Sequence, residues 1–285
     1  MEIKASQVKE LRDMSGVAMM ECKKALVECE GNIEKALDLL RSNSSLKAEK
    51  KASRVAADGV IRIIASDNYA TIIEINSETD FAAKDAGFIA FADEVAAFIA
   101  NNKINNTEEF LNTEVEEKRL SLVQTIGENI QLRRIETIDF NSSMSVGSYI
   151  HSDGKLATLV VTDSSESELA KDIAMHIAAS NPLCKSPEDI DDKVLEREKA
   201  IFETQARESG KDESIMEKMI EGKVQKFLAE VSLTSQAFIK DPDITVGNLL
   251  DGKKTEVIGY VRFKVGEGIE IQSKSFADEV AEQLK

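Results

Sequence analysis

The sequence predicts an α+β fold, with a small helical module ahead of a duplicated body in which three-stranded antiparallel sheets are backed by helices. Apolar residues recur at helical spacing through residues 8–40. Further on, two stretches each place a strand–turn–strand pattern ahead of a helix and a late strand. The composition of the 285 residues, with 3 Pro, no Trp, 5% aromatic and 31% charged, suits helices with polar faces better than a densely stranded sandwich. A hydrophobic share of 42% is enough to build a sizeable core.

The first unit, residues 1–54, carries Val8, Leu11 and Met14, then Val17, Met20, Ala25 and Leu26, then Ile33, Ala36, Leu37 and Leu40. These groups define three short helices, punctuated by Ser15-Gly16 and Gly31-Asn32, with Ser6 and Asn32 as expected N-caps. The result is a three-helix module, resembling a ubiquitin-associated-type (UBA-like) one, whose small core suggests an adaptor. Residues 42–54 are polar and rich in Ala, Lys and Ser, and are expected to form a partly helical linker.

In residues 55–140, Gly59–Ile64 and Ala70–Ile75 flank Ser66-Asp67-Asn68-Tyr69 as a hairpin. Phe88, Phe91, Val95 and Phe98 mark a covering helix, and Glu114–Ile126 and Ile130–Ile138 add a second helix and a third strand. The same order returns in residues 141–186 and 234–270. There, strands Val146–His151 and Leu156–Val161 surround Ser152-Asp153-Gly154-Lys155, followed by a helix over Leu169–Ala179 and a strand over Val257–Val265. The string ATIIEINSETDFAAKDAGF aligns with ATLVVTDSSESELAKDIAM, which makes an internal duplication the economical reading.

Residues 187–233 interrupt the second unit with two amphipathic stripes about Ser209-Gly210-Lys211-Asp212, a helical hairpin of coiled-coil type. Its first stripe is thin and broken by Arg197 and Thr204, which suits an exposed arm. Phe276, Val280 and Leu284 place a last helix over Ser275–Leu284, within residues 271–285.

A formal net charge of −16 disfavours direct binding to a phosphate backbone. The charge is uneven, since residues 1–54 hold 11 Lys/Arg against 9 Asp/Glu and the remainder 25 against 43. Three cysteines and two histidines have no zinc spacing, and Cys22 and Cys29 stand about 10 Å apart on a helix, too far to bridge. The charged start and the lack of an apolar run of membrane length point to a cytoplasmic protein with no membrane partner. The phosphate-loop, dinucleotide, serine-hydrolase and zinc-protease signatures are all missing, so neither catalysis nor a cofactor is expected. His151 and His176 are read as surface or packing residues, and Asp191-Asp192 and Glu166/Glu168 as solvated acids.

Two features call for more than packing. Met19 and Met20 point about 100° apart on a short helix, so that only one is expected to face the bundle core and the other is spare for a partner. In Asn76-Ser77-Glu78-Thr79-Asp80-Phe81 a strand ends in a polar turn ahead of a helix. Either Thr79 or Asp80 caps that helix and Phe81 staples it to the sheet, or Phe81 projects beside a fixed carboxylate as a wedge.

The strings VKELRDMSGVAMMECKKAL, ADGVIRI, INSETDFAAKDAGF, IGENIQLRR, MHIAAS, VSLTSQ and GYVRFKVGEGIE resemble the successive blocks of the elongation factor Ts family and span nearly the whole chain. The resemblance implies a guanine-nucleotide exchange factor that binds elongation factor Tu and hastens release of its GDP by dislodging Mg²⁺, after which GTP binds. It places the exchange motif on Thr79, Asp80 and Phe81, followed by Ala82 where the family usually has Val. It also implies partner contacts at Leu11, Met19, Met20 and Lys23, at Ile126 and Gly127, and at His151. Position 237 is Ala where the family commonly has Pro. Self-association or partner contact through the hairpin is left open. Two other classes remain, a binding adaptor without exchange activity and an enzyme using Asp80 or His151.

Overall fold

The computed structural model describes residues 3–208, 210 and 212–270; the helix expected over Ser275–Leu284 lies outside them. Helices α1 (Ala5–Ser15), α2 (Met19–Glu28) and α3 (Ile33–Lys51) come first. They enclose a core that includes Leu11, Cys22, Leu26, Ala36 and Leu40. Asn32 caps α3 by accepting from the Lys35 amide at 3.0 Å. Ser6 does not cap α1, which begins behind Lys4, whose amide donates to Gln7 Oε1. Residues 42–51 of the stretch expected to be partly helical are wholly helical, as the second half of α3. With no Gly or Pro between 42 and 54 to stop it, the helix runs on until Ala48 reaches the core of the first sheet unit.

That unit contains β1 (Asp58–Ala65), β2 (Tyr69–Ser77), α4 (Asp80–Ala83), α5 (Ala86–Asn102), α6 (Thr107–Leu111), α7 (Glu114–Ile126) and β3 (Gln131–Asp139). The strands pair antiparallel in the order β1-β2-β3. The second unit contains β4 (Ser145–Ile150), β5 (Leu156–Thr162), α8 (Ser167–Ser180), the helical arm α9 (Asp192–Glu208) and α10 (Glu213–Val231), β6 (Ala237–Phe238), β7 (Asp241–Thr245), α11 (Val246–Gly252) and β8 (Val257–Lys264). Its main sheet pairs antiparallel as β4-β5-β8, while β6 and β7 form a small ribbon of their own. The two aligned strings begin on β2 and β5, the central strands of equivalent sheets. The ribbon and α11 have no counterpart in the sequence reading, because segments this short carry too few residues for a periodic signal.

The sheets pack face to face and the helices cover their outer faces. Ile73 and Ile75 of β2 meet Phe88, Val95 and Val123 on the helix side. Ile61, Ala70 and Ile72 meet Ala157, Leu159 and Phe263 between the sheets. Glu74 lies on that inner face with no exposure, held by Arg133 at 3.0 Å and Arg134 at 2.5 Å, and it accepts the Gly266 amide at 2.9 Å. On the far side, Ile173 and Ile177 of α8 pack on Val160 and Val257. A Cβ at Gly147 of β4 would stand 2.1 Å from the Ala170 carbonyl, so α8 lies where only glycine fits.

The arm packs chiefly on itself, with Phe202 edge-on to Phe227 at 6.4 Å, and only Ala206 is buried on its two helices. His176 is a packing residue. It is fully buried, its Nε2 lies 3.0 Å from Gln236 Oε1, and its Nδ1 accepts the Ile239 amide at 3.2 Å. Among the described residues no helix is long and apolar enough to cross a membrane.

Two outcomes follow from this packing. Gly147→Ala forces α8 outward and is expected to cost about 1–3 kcal/mol, read as a lower urea midpoint. Burial depresses the His176 pKa below its ordinary value of 6.5, with the Gln236 bond opposing. Below that value the unfolded chain takes up a proton that the native chain refuses. The stability is therefore complete above the unfolded pKa and declines as pH falls toward the native one. Urea midpoints measured from neutral to mildly acidic pH are expected to fall more steeply in wild type than in His176→Gln.

Candidate functional site

Because β2 is buried on both faces, its chain emerges at Ser77 and turns sharply. Ser77 Oγ donates to the Thr79 carbonyl at 3.0 Å. Thr79 is the N-cap of α4, and its Oγ1 accepts the Ala82 amide at 3.3 Å. The Thr79 amide and hydroxyl both donate to the carboxylate of Glu128, at 2.9 and 2.6 Å. Ala82 and Ala83 are buried and anchor the single turn of α4 from beneath. The helix then stops at Lys84, and Asp85 caps α5 by accepting the Gly87 and Phe88 amides. In the second unit the aligned residues run on into α8 without a break, and Glu168 stands where the first unit has Phe81.

This break leaves Phe81 on a one-turn pedestal. The residue is 82% exposed, so it does not staple α4 to the sheet as one reading expected. The apolar anchoring that reading gave to Phe81 is supplied by the two alanines after it. Beside the ring, the Asp80 carboxylate takes a bond from Lys84 Nζ at 2.7 Å. The Lys84 ammonium, with Lys155 adding, holds the Asp80 carboxyl below the usual carboxylate range and keeps it ionised.

The other residues singled out in the sequence stand as follows. Met19, Met20 and Lys23 are exposed on α2; neither methionine faces the core, whose α2 positions are Cys22, Ala25 and Leu26. Leu11 is fully buried, so it belongs to the packing behind that surface. The Gly16 turn, which leads into α2, lies against Thr125 near the end of α7. Ile126 is half-buried against the first core, and Gly127 ends α7 at φ 88°, a left-handed conformation that glycine takes without strain. The Gly127 carbonyl accepts from Lys51 Nζ.

His151 is exposed in the β4–β5 turn, with Tyr149 Oη 3.0 Å from its Nδ1. That turn docks on β1 through the Gly154 carbonyl, which accepts the Ile61 amide at 2.9 Å, and through Lys155 on Asp58 at 2.8 Å. The helix-end turn at Gly127 and the β1 edge thus tie the module and the second unit to the Phe81 pedestal.

Sequence reasoning missed Glu128 and Asn129. They stand inside the IGENIQLRR string, yet nothing in spacing pairs Glu128 with Thr79 across 49 residues. Among the described residues no three His, Cys, Asp or Glu side chains gather to hold a metal ion. What the site offers is an exposed aromatic ring and a fixed carboxylate, a geometry suited to entering another molecule's surface.

The family model described as elongation factor TS matches residues 78–267. Among curated relatives named elongation factor Ts, that of Hahella chejuensis is 50% identical, with 99% of each chain covered. Those of Haemophilus influenzae and Francisella tularensis subsp. novicida are 49% and 48% identical; the first pairing covers 98% of this chain and 97% of the relative, the second 99% of each. The pedestal at Thr79–Ala82, the Glu128 clamp and the second sheet lie within the matched span, and the chain belongs to the elongation factor Ts family.

Proposed function

We propose that this protein is a cytoplasmic guanine-nucleotide exchange factor, not an enzyme, which binds elongation factor Tu in its GDP-bound and nucleotide-free forms. The single observation that carries the reading is Phe81, a large aromatic 82% exposed on a turn braced from three sides. An unpartnered ring on so rigid a mount is costly to leave in water and gains on entering a pocket. Membership of the elongation factor Ts family supplies the partner.

GDP on a GTPase is held by phosphate-loop amides and by Mg²⁺, which neutralises the diphosphate. A ring pushed in behind that site displaces the side chains that hold the metal, and the nucleotide loses its counter-charge. By linkage, a factor that binds the nucleotide-free GTPase more tightly than the GDP form must weaken GDP binding by the same factor, and incoming GTP then releases it. Asp80 and Thr79 fix the wedge and Ala82 seats it. Met19, Met20 and Lys23, Ile126 and Gly127, and His151 add contacts around it, with Leu11 as support from the core. In this reading the three helices are a UBA-like module and α9–α10 a coiled-coil arm, appended to a body divided into N and C subdomains at about residue 140.

Stopped-flow release of fluorescent GDP from elongation factor Tu tests the reading. Wild type is expected to accelerate release, and Phe81→Ala to lose about 10- to 100-fold of that acceleration, the worth of one buried Phe side chain. The thermal midpoint of Phe81→Ala is expected to match wild type, since an exposed ring contributes little to the fold. Binding without any change in GDP release would mark an adaptor instead.

A further inference from the structure

The turn Gly127-Glu128-Asn129 touches both the chain leaving α3 and the Phe81 pedestal. On one side it grips the end of α3: Lys51 Nζ donates to the Gly127 carbonyl, and Asn129 Nδ2 donates to the Ala52 and Arg54 carbonyls at 3.4 and 2.8 Å. On the other side it grips the Phe81 pedestal. The Glu128 carboxylate takes both Thr79 donors, and the Asn129 amide donates to Glu78 Oε1 at 2.6 Å. Arg54 closes the loop with an ion pair to Glu78 at 3.5 Å. Asn129 is only 2% exposed, and its side-chain amide is spent on the Ala52 and Arg54 carbonyls rather than on the backbone of its own turn.

Helix α3 starts in the core of the three-helix module, at Ala36 and Leu40, and runs 19 residues to Lys51. At 1.5 Å per residue it is a rod of about 28 Å. The turn at its end therefore ties the exposed face of the module and the Phe81 ring into one rigid surface.

We propose that Glu128 and Asn129 are positioning residues for nucleotide exchange: they lock the Phe81 turn to the end of α3 and act only through where that ring stands. The proposal rests on the exchange reading above. Glu128→Gln turns one of the two acceptors facing Thr79 into a donor, which frees the cap while leaving a half-exposed side chain of equal size. Asn129→Ala removes both side-chain donors to the chain just past α3. A displacement near 1 Å at a site of this kind is enough to cost a large factor in rate while leaving most of the contact area in place.

The test measures fluorescent GDP release from elongation factor Tu over a range of concentrations of the full-length factor, for wild type, Glu128→Gln, Asn129→Ala, Phe81→Ala and the two double variants. Glu128→Gln and Asn129→Ala are expected to lower the maximal release rate by about 10-fold or more. The half-saturating concentration is expected to stay within about threefold of wild type, as most contacts persist. In the Phe81→Ala background neither is expected to lower the rate further, because the group they position is gone. A wild-type maximal rate for Glu128→Gln, or effects that multiply with Phe81→Ala, overturns the proposal. If thermal unfolding shows that Asn129→Ala does not fold, Glu128→Gln alone decides. Failure of wild type to accelerate release, or full activity in Phe81→Ala, overturns the exchange reading itself and is read separately.

Discussion

The fold turns on β2, a strand buried on both of its faces. Its Ile73 and Ile75 serve the helix-covered core, and its Ala70 and Ile72 serve the seam between the two sheets. A strand in that position cannot wander, since a slip of one residue would exchange the two sets and bury Glu74 against the helices. Glu74 reinforces the register from within. Its carboxylate is removed from water, and Arg133, Arg134 and the Gly266 amide supply the compensation, so losing any partner would leave a charge stranded in the seam. Arg134 also stacks on Phe263 of the second sheet, 3.9 Å from the ring centroid, which extends the same tie to apolar contact.

From that fixed strand the chain leaves at its end, and the Thr79–Phe81 turn is built there. The turn is rigid for polar reasons rather than apolar ones. Thr79 spends its amide and hydroxyl on Glu128 and offers its oxygen to Ala82, while Asp80 and Lys84 neutralise each other on the flank. With these groups engaged, Phe81 is left as the large apolar side chain of the turn that faces water, 82% exposed among the described residues. The second unit makes the contrast plain. There the equivalent helix continues through the same point, Glu168 replaces the ring, and α8 is wholly a packing element.

Three segments distant in sequence meet around this turn. The module arrives through α3, the end of α7 through Gly127–Asn129, and the second sheet through the His151–Lys155 turn on β1. The net charge of −16 is spread over a body whose arm and outer helices are solvated, whereas the cations Lys51, Lys84, Lys155 and Arg54 gather at the junction, each tied to a neighbouring acceptor.

Much of this was legible in the residues alone. The helical spacing of Val8–Leu40, the two hairpins with their turn residues, the repeat of one strand–helix string in another and the two-helix arm are local patterns, and local patterns follow from periodicity and turn chemistry. The Thr79-Asp80-Phe81 turn was visible as a candidate for the same reason. Whether its ring faced in or out was not, because that depends on Ala82 and Ala83 sinking into a core and on Glu128, 49 residues away, holding the cap. The exposure of both methionines on α2 and the burial of Leu11 were likewise decided by how three helices share one small core. The run of α3 past its module was decided by a pocket for Ala48 in another unit. Sequence by itself determined the longer helices, the paired strands and their turns, since those energies are local. Tertiary structure alone decided which residues were left facing water, since burial depends on partners that the chain brings from elsewhere.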